Sequence, residues 1–285
     1  MSRLEKAMEN AAKIRQGNMQ PIAPSVPVYA PVPARTEFHA NHIPPSADTV
    51  VEKITSQCPL LVNLNDPYSP VGEEFRKLKS ALVKLTNDET FRNTIMVTSS
   101  VPNEGKSITS LNLAISLAQE YDHTVLLIDA DLRRPSMHRY LEMELKAGLA
   151  DCLLGEADLG DVICPTGIGK LSVISAGKEI ANPVELFTSQ KMQMLLAEVK
   201  HRYPDRYIIF DTPPVLPFAE TRTLGHLVDG VLFVVKERLA SQANVKDALE
   251  ALKGSRMLGL VYNDTTEGLR DERYSSYRGY STYTR

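Results

Sequence analysis

Short runs of almost wholly apolar residues alternate with helical stretches over most of the chain, and this alternation constrains the fold more than any other feature of the sequence. Such runs are typical of strands buried on both faces, which belong to parallel sheets covered by helices. The predicted strands are 94–100, 124–131, 171–176, 207–213, 230–236 and 257–263. The predicted helices lie near 106–120, 183–202 and 241–253. The pattern predicts an α/β fold, a mostly parallel sheet with helices on both faces.

The segments before this region have a different character. Ser2 and Glu5 have the spacing of a capping box, and the pattern that follows predicts an amphipathic helix over residues 1–16. Residues 17–48 contain seven prolines, which exclude a helix or a central strand and indicate a semi-rigid linker. The folded domain is predicted over residues 49–267.

Composition excludes several classes of function. The formal net charge is −3, whereas a nucleic-acid-binding domain usually has a strong basic excess. The three cysteines (Cys58, Cys152 and Cys164) form no CxxC pair, so neither a zinc site nor a disulfide framework is indicated. No apolar run approaches the roughly 20 residues that span a bilayer. We therefore expect a cytoplasmic protein with no nucleic-acid partner and no direct membrane insertion.

The sequence SVPNEGKS, residues 100–107, lies between a predicted strand and a predicted helix, as a P-loop does. Backbone amides of such a loop cradle phosphates, Lys106 would neutralise the β- and γ-phosphates of ATP, and Ser107 would ligate Mg²⁺. Ser100 stands where the first glycine of the motif belongs, and the alternative is a surface loop with a solvated lysine. The predicted nucleotide contacts are Val101, Pro102, Asn103, Glu104, Gly105, Lys106, Ser107, Ile108 and Asn263. Asn263 ends the last strand and is equally well interpreted as a strand cap.

Three aspartates end predicted strands and are candidate metal ligands. Asp129 and Asp131 end one apolar strand, and Asp211 ends another. The carboxyl ends of parallel strands meet at one edge of the sheet, where ligands bind. Carboxylates at that edge can hold Mg²⁺ directly or through water, with Ser107 as a further ligand. The alternative is that they cap helices or turns.

The last eighteen residues, 268–285, contain almost no aliphatic side chain and predict a flexible tail. Its tyrosines recur every third residue, a period that fits neither a buried strand nor a buried helix. We interpret them as phosphoacceptors, and the alternative is an adhesive tail without this role. The predicted phosphoacceptors are Tyr274, Tyr277, Tyr280 and Tyr283.

These motifs resemble those of the bacterial tyrosine kinases of polysaccharide export, the BY-kinases. SSVPNEGKSITSLNLA resembles their Walker A motif, VLLIDADLRRP their Walker A′ motif and YIIFDTPP their Walker B motif. SAGKEIANPVELFTS resembles the segment before their long helix. The resemblance covers residues 60–264 and the tail. The N-terminal MSRLEKAMENAAK and its linker are more specifically similar to the exosortase-associated autokinases of PEP-CTERM loci.

The resemblance implies a P-loop NTPase fold of the SIMIBI, MinD-like type and an ATP- and Mg²⁺-dependent kinase that phosphorylates its own tail in trans. It implies that Lys106, Asp129 and Asp131 form the catalytic set, with either aspartate assisting the tyrosine proton. It also implies a homo-oligomer, a membrane-embedded polysaccharide co-polymerase that activates the kinase and recruits it to the inner membrane, and a tyrosine phosphatase. The process regulated would be exopolysaccharide synthesis and export. Asn103 replaces the family's usual glycine, but asparagine tolerates a positive φ better than most residues.

A helix predicted to begin at Ser69-Pro70 contains EEFRKLK, which resembles the oligomerisation motif ExxRxxR of the family. Glu73, Arg76 and Lys79 would supply this contact between subunits. Lysine lacks the bidentate fork of arginine, so the resemblance implies a weaker or differently directed contact at position 79.

Two other functions are compatible with a P-loop. A MinD/ParA-like ATPase switch would carry an additional lysine early in the loop, where this chain has Val101, and it would not account for the tail tyrosines. A non-enzymatic, nucleotide-dependent scaffold for export machinery is the other alternative. Arg133 and Arg134 follow the Walker A′ aspartates and would approach phosphates, contact a neighbouring subunit or remain solvated.

Overall fold

The computed structural model describes residues 54–87, 91–120, 122–144, 146–202 and 205–265. The predicted N-terminal helix (1–16), linker (17–48) and tyrosine-rich tail (268–285) lie outside the described residues.

One sheet organises this part of the chain, and its strand order is β3-β4-β2-β5-β1-β6-β7. The strands are β1 (Thr94–Ser99), β2 (Thr124–Asp129), β3 (Cys164–Pro165), β4 (Leu171–Ile174), β5 (Arg206–Asp211), β6 (Gly230–Lys236) and β7 (Met257–Asn263). Every neighbouring pair is parallel except β3 with β4. The mostly parallel sheet is therefore confirmed. The sequence analysis missed β3, because two residues ending in a proline carry no strand pattern.

Helices connect the strands. They are α1 (Val62–Asn65), α2 (Pro70–Thr86), α3 (Lys106–Ala118), α4 (Met137–Tyr140), α5 (Leu149–Leu154), α6 (Leu159–Val162), α7 (Val184–Thr188), α8 (Gln190–Arg202), α9 (Ala219–Gly225) and α10 (Gln242–Ala251). The predicted start of α2 is confirmed, because the Ser69 side chain accepts a 3.1 Å hydrogen bond from the Gly72 amide and Pro70 opens the helix. The helix predicted over 183–202 divides at Ser189, whose backbone is extended.

Two hydrophobic cores lie on opposite faces of the sheet. In β1 and β2, Met96 and Leu126 enter one core, whereas Ile95 and Val125 enter the other. Both faces of these central strands are therefore covered, which explains why their sequences read as continuous apolar runs. None of the described helices has the length and apolar character needed to cross a membrane.

The strand order brings the candidate site together. Strand β5 lies between β1 and β2, so the strand that precedes the phosphate-binding loop is one strand away from the strand that ends at Asp129. Asp129 and Asp211 are directly opposite each other in the register of β2 and β5. Both carboxylates thus lie at the carboxyl edge of the sheet, beside the loop that follows β1.

Candidate active site

The loop between β1 and α3 has the backbone conformation that a phosphate-binding loop requires. Asn103 and Gly105 both adopt positive φ angles, 68° and 90°. A β carbon at position 105 would lie only 2.1 Å from Nδ2 of Asn263, so side chains other than hydrogen do not fit there. The asparagine at position 103 is accommodated because this residue type enters the left-handed region more readily than most.

The buried side chain of Glu104 braces this loop from within. Its Oε2 accepts hydrogen bonds from the Ser100 hydroxyl (2.9 Å) and the Val101 amide (2.8 Å), and its Oε1 accepts one from the Lys236 amide (3.3 Å). The serine in place of the motif's first glycine therefore has a structural partner. The sequence analysis placed Glu104 among the nucleotide contacts but gave no role to its carboxylate.

Asn263, the last residue of β7, also contacts the loop. Its Nδ2 donates a 2.9 Å hydrogen bond to the Glu104 carbonyl oxygen. This contact goes beyond a simple strand cap, because it ties the end of the sheet to the phosphate-binding loop. A contact between Asn263 and adenine stays a prediction.

Lys106 begins α3 and faces the acidic edge of the sheet. Its Nζ lies 3.3 Å from Oδ2 of Asp131 and 3.2 Å from Oγ of Ser107. Burial by itself would lower the pKa of Lys106, but the carboxylates of Asp211, Asp131 and Asp129 together raise it above its usual value. The ammonium group is thus held in its charged form at the start of the helix.

Two of the three aspartates also organise the turn after β2. Asp129 accepts amide hydrogen bonds from Asp131 (3.2 Å), Ser136 (3.2 Å) and Met137 (3.1 Å). Asp131 accepts one from the Arg134 amide at 3.1 Å. The turn-capping interpretation therefore holds for Asp129 and Asp131, while their role in catalysis and metal binding stays a prediction.

Asp211 has unused acceptor capacity. Its Oδ1 accepts a 3.2 Å hydrogen bond from the Ser110 hydroxyl, whereas its buried Oδ2 has no hydrogen-bond partner among the described residues. Burial raises the pKa of Asp211 although the charge of Lys106 opposes this. Burial, together with the charge of Asp211, raises the pKa of Asp129 to about 7. Three carboxylates therefore face one lysine, and the site favours a further cation.

The donor set fits Mg²⁺ that arrives with nucleotide phosphates. Among the residues that the structure describes, no three histidine, cysteine, aspartate or glutamate side chains form a ready metal centre. Mg²⁺ usually takes only one or two carboxylates and completes its shell with water and phosphate oxygens. The unpaired Oδ2 of Asp211 and the Ser107 hydroxyl are oxygen donors of this kind.

Arg133 has a structural environment that the sequence did not predict. Its Nε forms a 2.5 Å ion pair with Glu220, which is only 1% exposed, and its guanidinium stacks 4.9 Å above the Phe218 ring. It also donates a hydrogen bond to the Ala181 carbonyl oxygen. The Arg133 side chain is thus engaged in contacts within the chain, whereas Arg134 is exposed to solvent.

The three residues predicted to form the oligomer contact lie on α2 and are paired within the chain. Arg76 bonds Glu73 and the Pro67 carbonyl oxygen, and Lys79 forms a 3.0 Å ion pair with Glu120. Their role between subunits stays a prediction. The four predicted phosphoacceptor tyrosines lie beyond the described residues.

Comparisons with known proteins identify the family. Residues 93–255 match the AAA domain family. The chain is 33% identical over 225 residues to the tyrosine-protein kinase YwqD of Bacillus subtilis, covering 78% of this chain and 91% of that protein. The kinase domain of the Escherichia coli tyrosine kinase ETK superimposes with a TM-score of 0.66 at 31% identity, covering 72% of this chain and 82% of that structure.

A more distant structure supports the predicted fold class. MinD from Pyrococcus horikoshii, solved with Mg-ADP, has a TM-score of 0.52 at 22% identity and covers 64% of this chain and 72% of that one. At this identity the likeness concerns the fold alone, and the predicted MinD-like fold is confirmed. YwqD and the ETK kinase domain are more similar in sequence, at 33% and 31% identity. This chain therefore belongs to the family of bacterial tyrosine-protein kinases.

Proposed function

We propose that this chain transfers the γ-phosphoryl group of ATP to tyrosines in the C-terminal segment of a neighbouring copy of itself. The observation that carries the proposal is the contact of Lys106 with Asp131 at the end of a phosphate-binding loop. A cation for the phosphate and a carboxylate for the acceptor proton are thereby held side by side. Phosphoryl transfer needs mainly such positioning and charge stabilisation.

Backbone amides of residues 103–107 would bind the phosphates of the substrate ATP, since Pro102 has no N–H and the Val101 amide donates to Glu104. Lys106 would exchange its partner Asp131 for the γ-phosphate. Ser107 and the free oxygen of Asp211 would hold Mg²⁺, which, when bound, supplies positive charge that offsets the charge developing on the phosphates. Asn263 and Glu104 would keep the loop in the conformation that presents these amides.

The acceptor hydroxyl needs a base, because an unperturbed phenol has a pKa of about 10. In the transfer, the phenolic oxygen bonds to the γ-phosphorus as the bond from that phosphorus to the β–γ bridging oxygen breaks, and ADP leaves. The phenolic proton passes to a carboxylate. We favour Asp131 over Asp129, because Oδ2 of Asp131 becomes free when Lys106 moves, whereas both oxygens of Asp129 accept hydrogen bonds from backbone amides. Asp131→Asn should abolish labelling while ATP binding is retained; full labelling would contradict this choice.

The acceptor segment is long enough to reach a neighbour. Residues 268–285, fully extended, span up to about 60 Å at about 3.3 Å per residue. Glu73, Arg76 and Lys79 would provide the contact that brings copies together. We further propose recruitment from the cytoplasm to the inner membrane by a polysaccharide co-polymerase, reversal by a tyrosine phosphatase, and a role in exopolysaccharide export. The N-terminal sequence supports assignment to the exosortase-associated subfamily.

A mixing experiment tests the transfer between copies. A full-length Lys106→Met chain is mixed with an active chain whose four tail tyrosines are replaced by phenylalanine. After incubation with labelled ATP, mass spectrometry should find phosphate on the tail tyrosines of the Lys106→Met chain. No label on that chain would contradict transfer between copies. No label on wild-type protein alone would contradict self-phosphorylation altogether and favour an ATPase switch or a scaffold.

A further inference from the structure

A pocket of about 460 Å³ opens on the turn that follows the Walker A′ aspartates. Its lining consists of Arg133, Arg134, Pro135, His138, Arg139, Gly177 and Glu179. The function proposed above uses none of these side chains. The pocket is basic and lies beside Asp131, the carboxylate proposed above to accept the tyrosine proton.

Two arginines of the pocket are available to a ligand. Arg134 and Arg139 are exposed, and within the described part of the chain neither forms an ion pair. Arg139 makes one long hydrogen bond, 3.5 Å, to the Pro135 carbonyl oxygen. The charge of Arg133 is already matched by Glu220. Counting Arg134 and Arg139 against Glu179, the available charge of the lining is 2 − 1 = +1.

The pKa of His138 reflects the positive charge of the pocket. Burial, reinforced by the neighbouring charge of Arg139, lowers the pKa of His138 below its usual value. The neutral imidazole leaves a hydrogen-bond donor in the pocket, and an anion bound there would favour its protonated form.

The pocket is built directly on the active-site carboxylates. The Arg134 amide donates to Oδ1 of Asp131 at 3.1 Å, and the Ser136 and Met137 amides donate to Oδ2 of Asp129. The guanidinium of Arg134 is therefore within about one arginine side chain of the group proposed to take the tyrosine proton. Three extended residues, the spacing between tail tyrosines, span about 10 Å.

We propose that this pocket binds the phosphate of a tail phosphotyrosine and so positions the next tyrosine of the same tail at Asp131. This inference rests on the proposed function, because it assumes that the tail is the substrate. Arginine is the side chain best suited to a phosphate dianion, which it can bind in a bidentate manner. The first phosphate on a tail then makes the following transfers easier.

The charges of the tail account for selectivity. Unmodified residues 268–285 carry four arginines and two acidic residues, a side-chain charge of 4 − 2 = +2, which the two arginines of the pocket repel. Each phosphate adds about −1.5 to −2 and supplies acceptor oxygens for these two arginines, neither of which forms an ion pair with the described residues. The pocket therefore distinguishes a tail that has been phosphorylated once from one that has not.

Peptide binding tests the pocket independently of catalysis. The protein is the full-length Lys106→Met chain, and the fluorescent peptide contains residues 268–285 with phosphotyrosine at position 277 or with unmodified tyrosine. The phosphopeptide should bind at least ~10-fold more tightly, and Arg134→Gln with Arg139→Gln should remove that advantage. Arg202→Gln with Lys253→Gln, an equal loss of two positive charges at exposed positions, should change binding less than twofold. Glu179→Gln should act in the opposite direction and tighten phosphopeptide binding.

Unchanged phosphopeptide binding in the double arginine variant would overturn the proposal. Equal competition by inorganic phosphate at the same concentration would also overturn it, because the pocket would then be a general anion site. Binding of ATP phosphates instead of the tail would appear as loss of ATP affinity in the double variant, with no effect on the peptide.

A time course tests priming, the easier transfer to a tail that already carries one phosphate. It compares the active wild-type chain with the same chain carrying both arginine substitutions. Mass spectrometry should find multiply phosphorylated tails early in the wild type, with little singly phosphorylated intermediate. In the double arginine variant, singly phosphorylated tails should accumulate while the first transfer keeps its rate to within about twofold. An equal slowing of first and later transfers would contradict priming. If the wild-type tail is not labelled at all, the proposed function fails, and the peptide experiment still decides whether the pocket binds phosphotyrosine.

Discussion

The side-chain amide of Asn263 lies directly over Gly105, where the phosphate-binding loop enters its helix. Nδ2 of Asn263 donates to the Glu104 carbonyl oxygen at 2.9 Å and occupies the space that a β carbon at position 105 would need. The end of β7 thus supports the conformation of the phosphate-binding loop, which follows β1.

Gly105→Ala should lower the affinity for ATP at least ~10-fold. The added methyl group would lie 2.1 Å from Nδ2 of Asn263, and the positive φ of 90° is itself unfavourable for alanine. Titration with a fluorescent ATP analogue measures the effect. Gly160→Ala is the matched control, because a β carbon there meets nothing within 4 Å.

Removing the Asn263 side chain from the Gly105→Ala protein separates the two causes. The double variant with Asn263→Ala should recover part of the lost affinity, since the collision disappears and the backbone strain remains. An affinity no better than that of Gly105→Ala alone would contradict the steric explanation.

Glu104→Gln should loosen the loop and destabilise the domain. The single amide oxygen of glutamine can accept from the Ser100 hydroxyl and the Val101 amide, but its NH2 group cannot accept from the Lys236 amide. Loss of a buried hydrogen-bond acceptor costs about 1–3 kcal/mol in the free energy of unfolding. Denaturant unfolding should show this loss. ATP affinity should also fall, by a free energy no larger than the loss of stability. Glu198→Gln, on the exposed face of α8, should have neither effect.

The unfolding free energy in the absence of nucleotide should depend on pH through Asp129. Its pKa is about 7 in the folded protein and 3.8 ordinarily, so the folded state holds more protons between these values. The unfolding free energy should therefore fall as the pH rises from about 4 to 7, by no more than about 1.4 kcal/mol per pH unit for one proton. Urea unfolding at several pH values measures this slope.

Two changes should reduce the dependence of the unfolding free energy on pH that Asp129 causes. Asp129→Asn removes the titrating group, and Mg²⁺ with ATP favours the charged carboxylate. Asp247→Asn, an exposed change on α10, serves as the control for charge alone. A slope that persists unchanged in Asp129→Asn would show that another group controls it.

Lys106→Met should reduce self-phosphorylation by at least ~100-fold, equivalent to about 2.7 kcal/mol of transition-state stabilisation. The change keeps the length of the side chain but removes the ammonium group that faces the three carboxylates of Asp129, Asp131 and Asp211. Circular dichroism should show a folded chain, and labelled ATP measures the activity. Lys253→Met, at an exposed position beside Glu250, should label like wild type. Wild-type labelling by Lys106→Met would refute the assignment of the phosphate-binding loop.

Phosphorylation of all four tail tyrosines, beyond the single phosphate that the basic pocket would hold, should shift the assembly toward monomers. Four phosphates add about −6 to −8 to a segment whose side-chain charge is +2, so neighbouring tails would repel each other. Sedimentation before and after labelling measures this change. An unchanged profile would contradict dissociation by charge repulsion between tails and leave the kinase assignment intact.

The same measurement tests whether α2 forms the contact between subunits. Arg76→Ala should favour monomers before any labelling, whereas Lys77→Ala, the next residue of α2, should not. If both variants assemble like wild type, α2 is not the contact between subunits.

Sequence alone predicted the features that depend on residues close together along the chain. Burial patterns and capping, which act over a few residues, account for the six longer strands and for the start of α2 at Ser69-Pro70. The local loop motif places Lys106 at the start of α3. The three aspartates could be assigned to one sheet edge because parallel strands end there together. The sequence analysis missed the division of the predicted helix 183–202 at Ser189. Ser189 caps the second helix by accepting a hydrogen bond from the Met192 amide, and one serine does not interrupt the helical pattern of apolar residues.

Only the tertiary structure decided which of these residues meet. The insertion of β5 between β1 and β2 places Asp211 opposite Asp129, and the end of β7 places Asn263 against Gly105. The brace formed by Glu104 and the pairing of Arg133 with Glu220 were likewise invisible beforehand. The physical reason is that burial, charge and hydrogen bonding act through space, and strand order determines which distant residues share that space.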